Sequence, residues 1–190
     1  MATEGYKQPS PDPIEALMPV RSAISEITGI ESSLVRRRYQ PNPPTQPGAG
    51  ANWCSLSIDG VRTIGTPEIK ETLSNKETLS KSDTAEARIL QKLSFIASFY
   101  GPEAMALAET FRAGITMPFN ACEMRQYGLG IMYVDPDTIR APDFVNGRWV
   151  DRWDVRFKVG RMAYRSFSVR TLEAAGFVII SDTRGVVANG

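Results

Sequence analysis

The 190-residue chain contains no histidine and only two cysteines. Without imidazole there is no Ser-His-Asp or Cys-His triad, no His-ligated metal and no ordinary pH switch. Cys54 and Cys122 share no close spacing, so neither a disulfide framework nor a zinc site is written in them. Both read as small, buried or half-buried apolar residues in a reducing compartment. An excess of charge is also missing: 22 Lys and Arg face 21 Asp and Glu, a net of +1. That balance argues against a dedicated nucleic-acid binder of the basic-patch kind and leaves room only for local patches. No apolar run approaches the ~20 residues that span a bilayer. The opening MATEGYKQPSPDP has neither a charged n-region nor an apolar h-region, which predicts no signal peptide and a protein made in the cytosol. Phosphate-cradling glycine loops are absent as well. No cofactor and no metal is expected. Together these absences disfavour most enzymes and point to a binding, scaffold or assembly protein.

What is present is an ordinary globular composition, 42% hydrophobic and 23% charged. One α+β domain is expected over residues 13–170, behind a mobile leader 1–12 and ahead of a C-terminal extension 171–190. A helix is predicted over 13–28, with Asp12 as N-cap, Pro13 at the first position and Gly29 as terminator. Ile14, Leu17, Met18, Ile24 and Ile27 recur near its period, and Pro19 either kinks or divides it. The loop QPNPPTQPGAGAN carries Pro41, Pro43, Pro44 and Pro47 with Gly48 and Gly50, so it reads as extended surface chain.

Trp53–Ile58 alternates as a half-buried strand, and Asp59-Gly60 either continues it or turns it back. Residues 67–85 read as an exposed loop or a solvated turn of helix, and the echo of ETLS at 71–74 and 77–80 is taken as chance. The clearest strand is 86–100, with Ile89, Leu93, Phe95, Ala97 and Phe99 on one face. Gly101-Pro102 ends it and opens a helix to about 115, in which Met105, Ala108, Phe111, Arg112 and Ile115 sit near helical spacing. Pro118 is expected to end that unit before a short helix over 120–127.

Leu129–Val134 is strand-like, and Asp135-Pro136-Asp137 is a turn. Thr138–Pro142 is a short extended piece. Asn146-Gly147 is the strongest hairpin signal in the chain. From Arg148 to Arg165 the alternation is long, with Trp149, Trp153, Val155, Phe157 and Val159 on one side. Eighteen residues at ~3.4 Å each run about 60 Å, whereas a compact domain of this length has a radius of gyration of ~16 Å. The strand must bend, bulge near Gly160 or reach beyond its own domain. Past it, a short helix at 171–175 and the apolar Phe177–Ile180 are weak patterns. The whole is α+β: a mostly antiparallel sheet with helices packed on one face, plus extended loops or arms.

Chemistry-bearing groups are few. Asp135/Asp137 and Asp151/Asp154 are paired carboxylates, read as turn and surface residues rather than a calcium site. Basic residues are more informative. Arg36-Arg37-Arg38 falls in an edge or strand-entry segment. Between 140 and 170, eight basic residues oppose three acidic ones, a local excess of five. Arg152, Arg156 and Lys158 share one face of the long strand. They either solvate and protect that face, pair with a neighbouring subunit, or line a channel near DNA phosphates.

Three segments then share a resemblance: RRRYQPNPPTQPGAGANWCSLSI, FIASFYGPEAMALAETFRAGI and IRAPDFVNGRWVDRWDVRFKVGR. In this order they resemble the neck or tail terminator (tail completion) proteins of tailed bacteriophages, over about residues 12–170. The resemblance implies a non-enzymatic virion protein forming a ring, typically of six copies, that terminates the tail tube and joins the tail to the head-tail connector. It implies the tail tube protein and connector or neck proteins as partners, with tail sheath a further candidate. It also implies non-specific proximity to double-stranded DNA in the lumen, no membrane, and assembly in the host cytoplasm. On matching positions, Asn42, Pro43 and Pro44 shape a loop, and Phe99, Tyr100, Gly101 and Pro102 form a strand-to-helix corner. Trp53, Tyr100, Pro102, Trp149 and Trp153 are candidate structural anchors, the tryptophans read as core ahead of interface. Arg36, Arg37, Arg38, Arg152, Arg156 and Lys158 are candidate intersubunit or lumen contacts. The alternative is another phage structural component, such as a connector stopper, tail tube or baseplate protein. Two remoter readings are a hydrolase using Asp135, Asp137 or Cys122 and a nucleic-acid binder working through the Arg-rich strand.

Overall fold

The computed structural model describes residues 13–48, 50–72, 83–145 and 147–169. The leader 1–12 with its Asp12 cap, most of the ETLS echo, Asn146, and the features proposed after 170 lie outside the described residues. Pro13–Ala16 forms a 3-10 turn that leads into α1 (Leu17–Thr28). A second 3-10 turn, Ser32–Leu34, precedes β1 (Val35–Arg37). Then come β2 (Trp53–Thr72), β3 (Asp83–Tyr100), α2 (Ala104–Gly114) and α3 (Pro118–Gln126). β4 (Leu129–Val134), β5 (Ile139–Arg140), β6 (Asp143–Val145), β7 (Arg148–Val150) and β8 (Arg152–Val169) complete the order.

The main sheet runs β1-β2-β3-β8-β4, with β5 also paired to β8. Only β1 and β2 pair in parallel; the other pairings are antiparallel. β6 and β7 form a separate hairpin, and Gly147 between them takes φ +77°, as the Asn-Gly signal requires. The fold class is therefore the expected one, α+β with a mostly antiparallel sheet.

Several local expectations are corrected. Pro19 does not kink a continuous helix: the turn is 3-10 up to Ala16, and Pro19 sits in the first turn of α1, where its missing N–H is tolerated. Gly29 ends α1 in a left-handed conformation, its N–H donating to the Ser25 carbonyl. Pro118 opens α3 rather than closing α2, the use of proline that a helix start favours. Met18, expected on the docking stripe, is exposed, as is Met105 at helical spacing in α2, while Val20 and Ala104 are buried. Cys122 is exposed, not buried.

Asp59-Gly60 does not turn the chain back. β2 continues to Thr72, and Asp59 is accommodated as a bulge between Ile58 and Gly60. Residues 67–72 and 83–85 are strand, not loop or helix. Their polar composition hid them because residues 65–70 of β2 are exposed one after another, so no alternation is imposed. Pro67 fits there because it falls in the register irregularity between Ile64 and Glu68, a bulge position where a proline is tolerated.

The long strand begins at Arg152, since Arg148–Val150 belongs to the hairpin. It does not bulge at Gly160: β8 pairs with β3 without interruption from Arg152↔Tyr100 to Val169↔Asp83. The irregularity instead falls in β4, between Ile131 and Tyr133.

The three described helices pack on one side of the proximal half of this sheet. Val20 and Ile24 of α1, Phe111 of α2 and Ile115 just after it meet Leu56, Leu93, Phe95, Phe99, Phe157 and Val159. Phe95 stacks on Phe157 at 5.2 Å between ring centroids, and Phe111 meets Phe157 edge-on at 5.5 Å. Such pairs add specificity beyond the apolar area they bury. α1 and α2 approach closely at Gly114, where an added Cβ would lie 2.4 Å from Ile27 Cγ2.

Candidate functional site

The face of the sheet opposite the helices is polar, and strand register assembles it. Trp53, Tyr100 and Arg152 are side by side across β2, β3 and β8, as are Ser55, Ser98 and Asp154 in the next alternate row. Trp53 and Tyr100 stack with ring centroids 4.1 Å apart and planes 5° from parallel. The Tyr100 hydroxyl donates to Asp143 at the base of the β6–β7 hairpin, at 3.2 Å. The Arg152 Nη1 donates to both Asp143 oxygens, at 2.8 and 2.9 Å, and its Nη2 to Asp154 at 3.0 Å. This cluster holds the hairpin onto the sheet.

Electrostatics follow from burial. Burial raises the Tyr100 phenol above its ordinary pKa, partly opposed by Arg38. Burial works against the Arg152 charge, but hydrogen bonds to Asp143 and Asp154 outweigh it and hold the guanidinium above its ordinary value. Asp154 Oδ1 and Arg152 Nε are buried without partners among the described residues. A cavity of about 320 Å³ lies between this cluster and the proline-rich loop, lined by Arg38, Pro44, Trp53, Ser55, Tyr100 and Asp143.

The sequence-predicted residues divide by what they touch. Arg38 donates to Ser98 Oγ at 3.1 Å. Arg36 donates to the Ser33 and Thr45 carbonyls, at 3.2 and 2.6 Å, and so ties the loop to β1. Arg152 is bound internally, as described. Arg37 and Arg156 are exposed and have no ion-pair partner among the described residues. Lys158 stands over the Tyr133 ring, 5.0 Å from its centroid.

Trp53 and Tyr100 meet in the polar cluster, and Trp153 packs partly buried against the core on the other face. Trp149 contradicts the expectation of core: it is 72% exposed on the hairpin, because the alternation that seemed to include it breaks at Asp151. Pro102 is exposed at the β3–α2 corner, beside Gly101 at φ +110°. The paired aspartates separate as well. Asp135 Oδ1 accepts from the Asp137 N–H in a turn, while Asp151 pairs with Arg140 at 2.9 Å.

Two features escaped the sequence. Arg62 and Lys92 are cross-strand neighbours, and they extend the basic row of Arg156 and Lys158 along the same face. Only register reveals that. Asn52 reaches across the corner: its Oδ1 accepts from the Glu103 N–H at 3.0 Å and its Nδ2 donates to Glu103 Oε2 at 2.8 Å. This works as a remote cap for α2, and it has no signal in local sequence.

Beyond the helices, the ribbon of β2, β3 and β8 stands largely uncovered by the described residues. Val61–Thr63 and 65–70, Glu86, Arg88, Met162, Tyr164 and Arg165 are exposed. Among the described residues, no group of three His, Cys, Asp or Glu is placed to hold a metal. No described helix is long and apolar enough to cross a membrane. The arrangement offers ionic, aromatic and strand-edge contacts on a rigid frame.

The sequence model for phage neck terminator proteins matches residues 18–183, most of the chain. The comparison with curated proteins finds no match.

Proposed function

This chain belongs to the phage neck terminator family, a structural component of the tail and neck, and on that premise we propose that it closes into a ring that caps the tail tube. Six copies would form the ring. One rim would meet the last ring of tube protein, and the other the head-tail connector, with sheath as an added neighbour in a contractile tail. Double-stranded DNA would pass through the lumen, and the ring would assemble in the host cytoplasm. Residues 13–170 would act as one unit, with 1–12 and 171–190 as its leader and extension.

The observation that carries this reading is the uncovered ribbon. Strands of 18 and 20 residues continue well past the helices that cover their proximal half. Exposed Ile69, Met162 and Tyr164 lie on this ribbon, and a long open edge invites pairing unless something covers it. A neighbouring subunit would cover it. Head-to-tail contacts either close or make filaments, and a terminator must close.

For the lumen we assign Arg156 and Lys158 with Arg62 and Lys92. Arg37, exposed and without an ion-pair partner among the described residues, is assigned to an intersubunit contact. Arg36, Arg38 and Arg152 are bound within the chain and stabilise the subunit instead. A loose row of cations suits sequence-independent passage of phosphates.

The test is light scattering with negative-stain imaging, followed by addition of purified tail tubes. Six copies of 21.0 kDa give a closed particle of about 126 kDa that caps tube ends. Open filaments would make the chain a tube protein, and tubes that keep growing in its presence would refute termination.

A further inference from the structure

The β6–β7 hairpin is not part of the main sheet, and it displays an aromatic pair to solvent. Phe144 and Trp149 face each other across it at 5.1 Å between centroids, 62% and 72% exposed. At these exposures the two rings still offer roughly 200–350 Å² of buriable surface. Tryptophan is among the residues most enriched where protein contacts concentrate their energy. The hairpin is also held firmly at its base by Asp143, through Tyr100 and Arg152, so the pair is presented in a fixed position. Fixing a contact element beforehand lowers the cost of ordering it on binding.

A receptor of matching character lies elsewhere on the same molecule. A groove of about 530 Å³ runs between α1 and the edge strand β1, with Leu17, Met18, Val35, Pro44 and Leu56 among its walls. Glu15 and Arg37 stand at its rim. Glu15 is exposed and has no ion-pair partner among the described residues. The same holds for Arg148, the neighbour of Trp149 on the hairpin.

The groove and the hairpin are held on different faces of the sheet. The groove opens at the β1 edge on the helix-bearing side, where Leu17, Val35 and Leu56 join the core. The hairpin is latched to the opposite face, by Tyr100 of β3 and Arg152 of β8. A knob and a socket on different surfaces of one chain make a heterologous contact, the kind from which rings are built.

We propose that the occupant of the groove is the Phe144/Trp149 hairpin of a second copy, with Arg148 of the hairpin against Glu15 at the rim. The proposal rests on the ring reading above and specifies the contact that would close it. In such a ring each subunit gives its hairpin to one neighbour and receives another's.

The experiment uses the full chain with Cys122→Ser, which leaves only buried Cys54. Glu15→Cys and Arg148→Cys are made on separate chains, mixed and oxidised. A disulfide needs Cα atoms within about 7 Å, so a mixed dimer is expected in the mixture and in neither variant alone. A chain carrying both cysteines should give a ladder of multimers. Adding Trp149→Ala to the Arg148→Cys chain should cut the yield at least tenfold.

No mixed dimer, or only an intrachain disulfide in the double variant, overturns the proposal. If the disulfide appears only after residues 2–12 are removed, the groove belongs to the chain's own leader, and the proposal is again overturned. Rings that persist with no disulfide refute the contact but keep the ring. A disulfide ladder on open filaments keeps the contact and refutes the ring.

Discussion

Arg152→Met tests whether the polar cluster under the hairpin holds the fold together. The substitution keeps the apolar stem and removes the guanidinium, so lost packing is not the main effect. Three hydrogen bonds disappear, two to Asp143 and one to Asp154. The Arg152 and Asp154 side chains are 19% and 7% exposed, so Asp154 is left as a buried carboxylate without its cation. Removing one partner of a buried pair costs about 3–5 kcal/mol. The existing pair is imperfect, with Arg152 Nε and Asp154 Oδ1 unpartnered among the described residues, which places the expectation at the lower end, about 3 kcal/mol. For a domain of this size each kcal/mol moves the midpoint by roughly 2–4 °C, so Tm should fall by about 6–12 °C.

Thermal and urea unfolding, followed by tryptophan fluorescence, reads this directly. Arg140→Met is the internal control, because the Arg140–Asp151 pair is 61% and 45% exposed and should matter by less than about 1 kcal/mol. Arg152→Met with Asp154→Leu should recover much of the loss, since it removes the stranded charge. If Arg152→Met costs no more than Arg140→Met, the cluster is open to water and the reasoning fails.

Gly101→Ala should destabilise by more than 2 kcal/mol in the same assay, because φ is +110° and the new Cβ would sit 2.5 Å from the Ala51 carbonyl oxygen. Glu109 is held below its ordinary pKa, first by its hydrogen bond from Arg112 and then by that from Thr138. Its contribution is present above the unfolded-state pKa and is lost as pH falls through the lowered folded value. Glu109→Gln should therefore flatten the acid side of the stability profile and be best distinguished near neutral pH; an unchanged profile would refute the assignment. With thiol reagent, Cys122 should react in the native protein and Cys54 only on unfolding, since burial raises the Cys54 thiol well above its ordinary pKa. Two equally fast thiols would contradict the burial of β2.

Local chemistry was legible from residues alone. Proline restricts the backbone and glycine frees it wherever they stand, so the C-terminal ends of α1 and β3 and the Asn-Gly hairpin could be read from sequence. Alternation marked the buried stretches of β3 and β8, because a half-buried strand must present its apolar residues with period two. The absence of histidine and the order of three weak segments pointed to a structural phage protein, and the family match agrees.

What tertiary structure decided is everything that depends on neighbours. The distal part of β2 is strand because β3 is there to pair it, not because its own residues favour one. Register alone added Arg62 and Lys92 to the row of Arg156 and Lys158, and side-chain contacts across two sheets made a latch of Tyr100, Asp143, Arg152 and Asp154. The same parity rule that put Trp153 toward the core could not place Trp149, since the strand is interrupted at Asp151 and the period resets. Side-chain periodicity is a local property carried by each residue and its next neighbours; which charges meet, and which aromatics stay in water, is set by contacts between residues far apart in the chain.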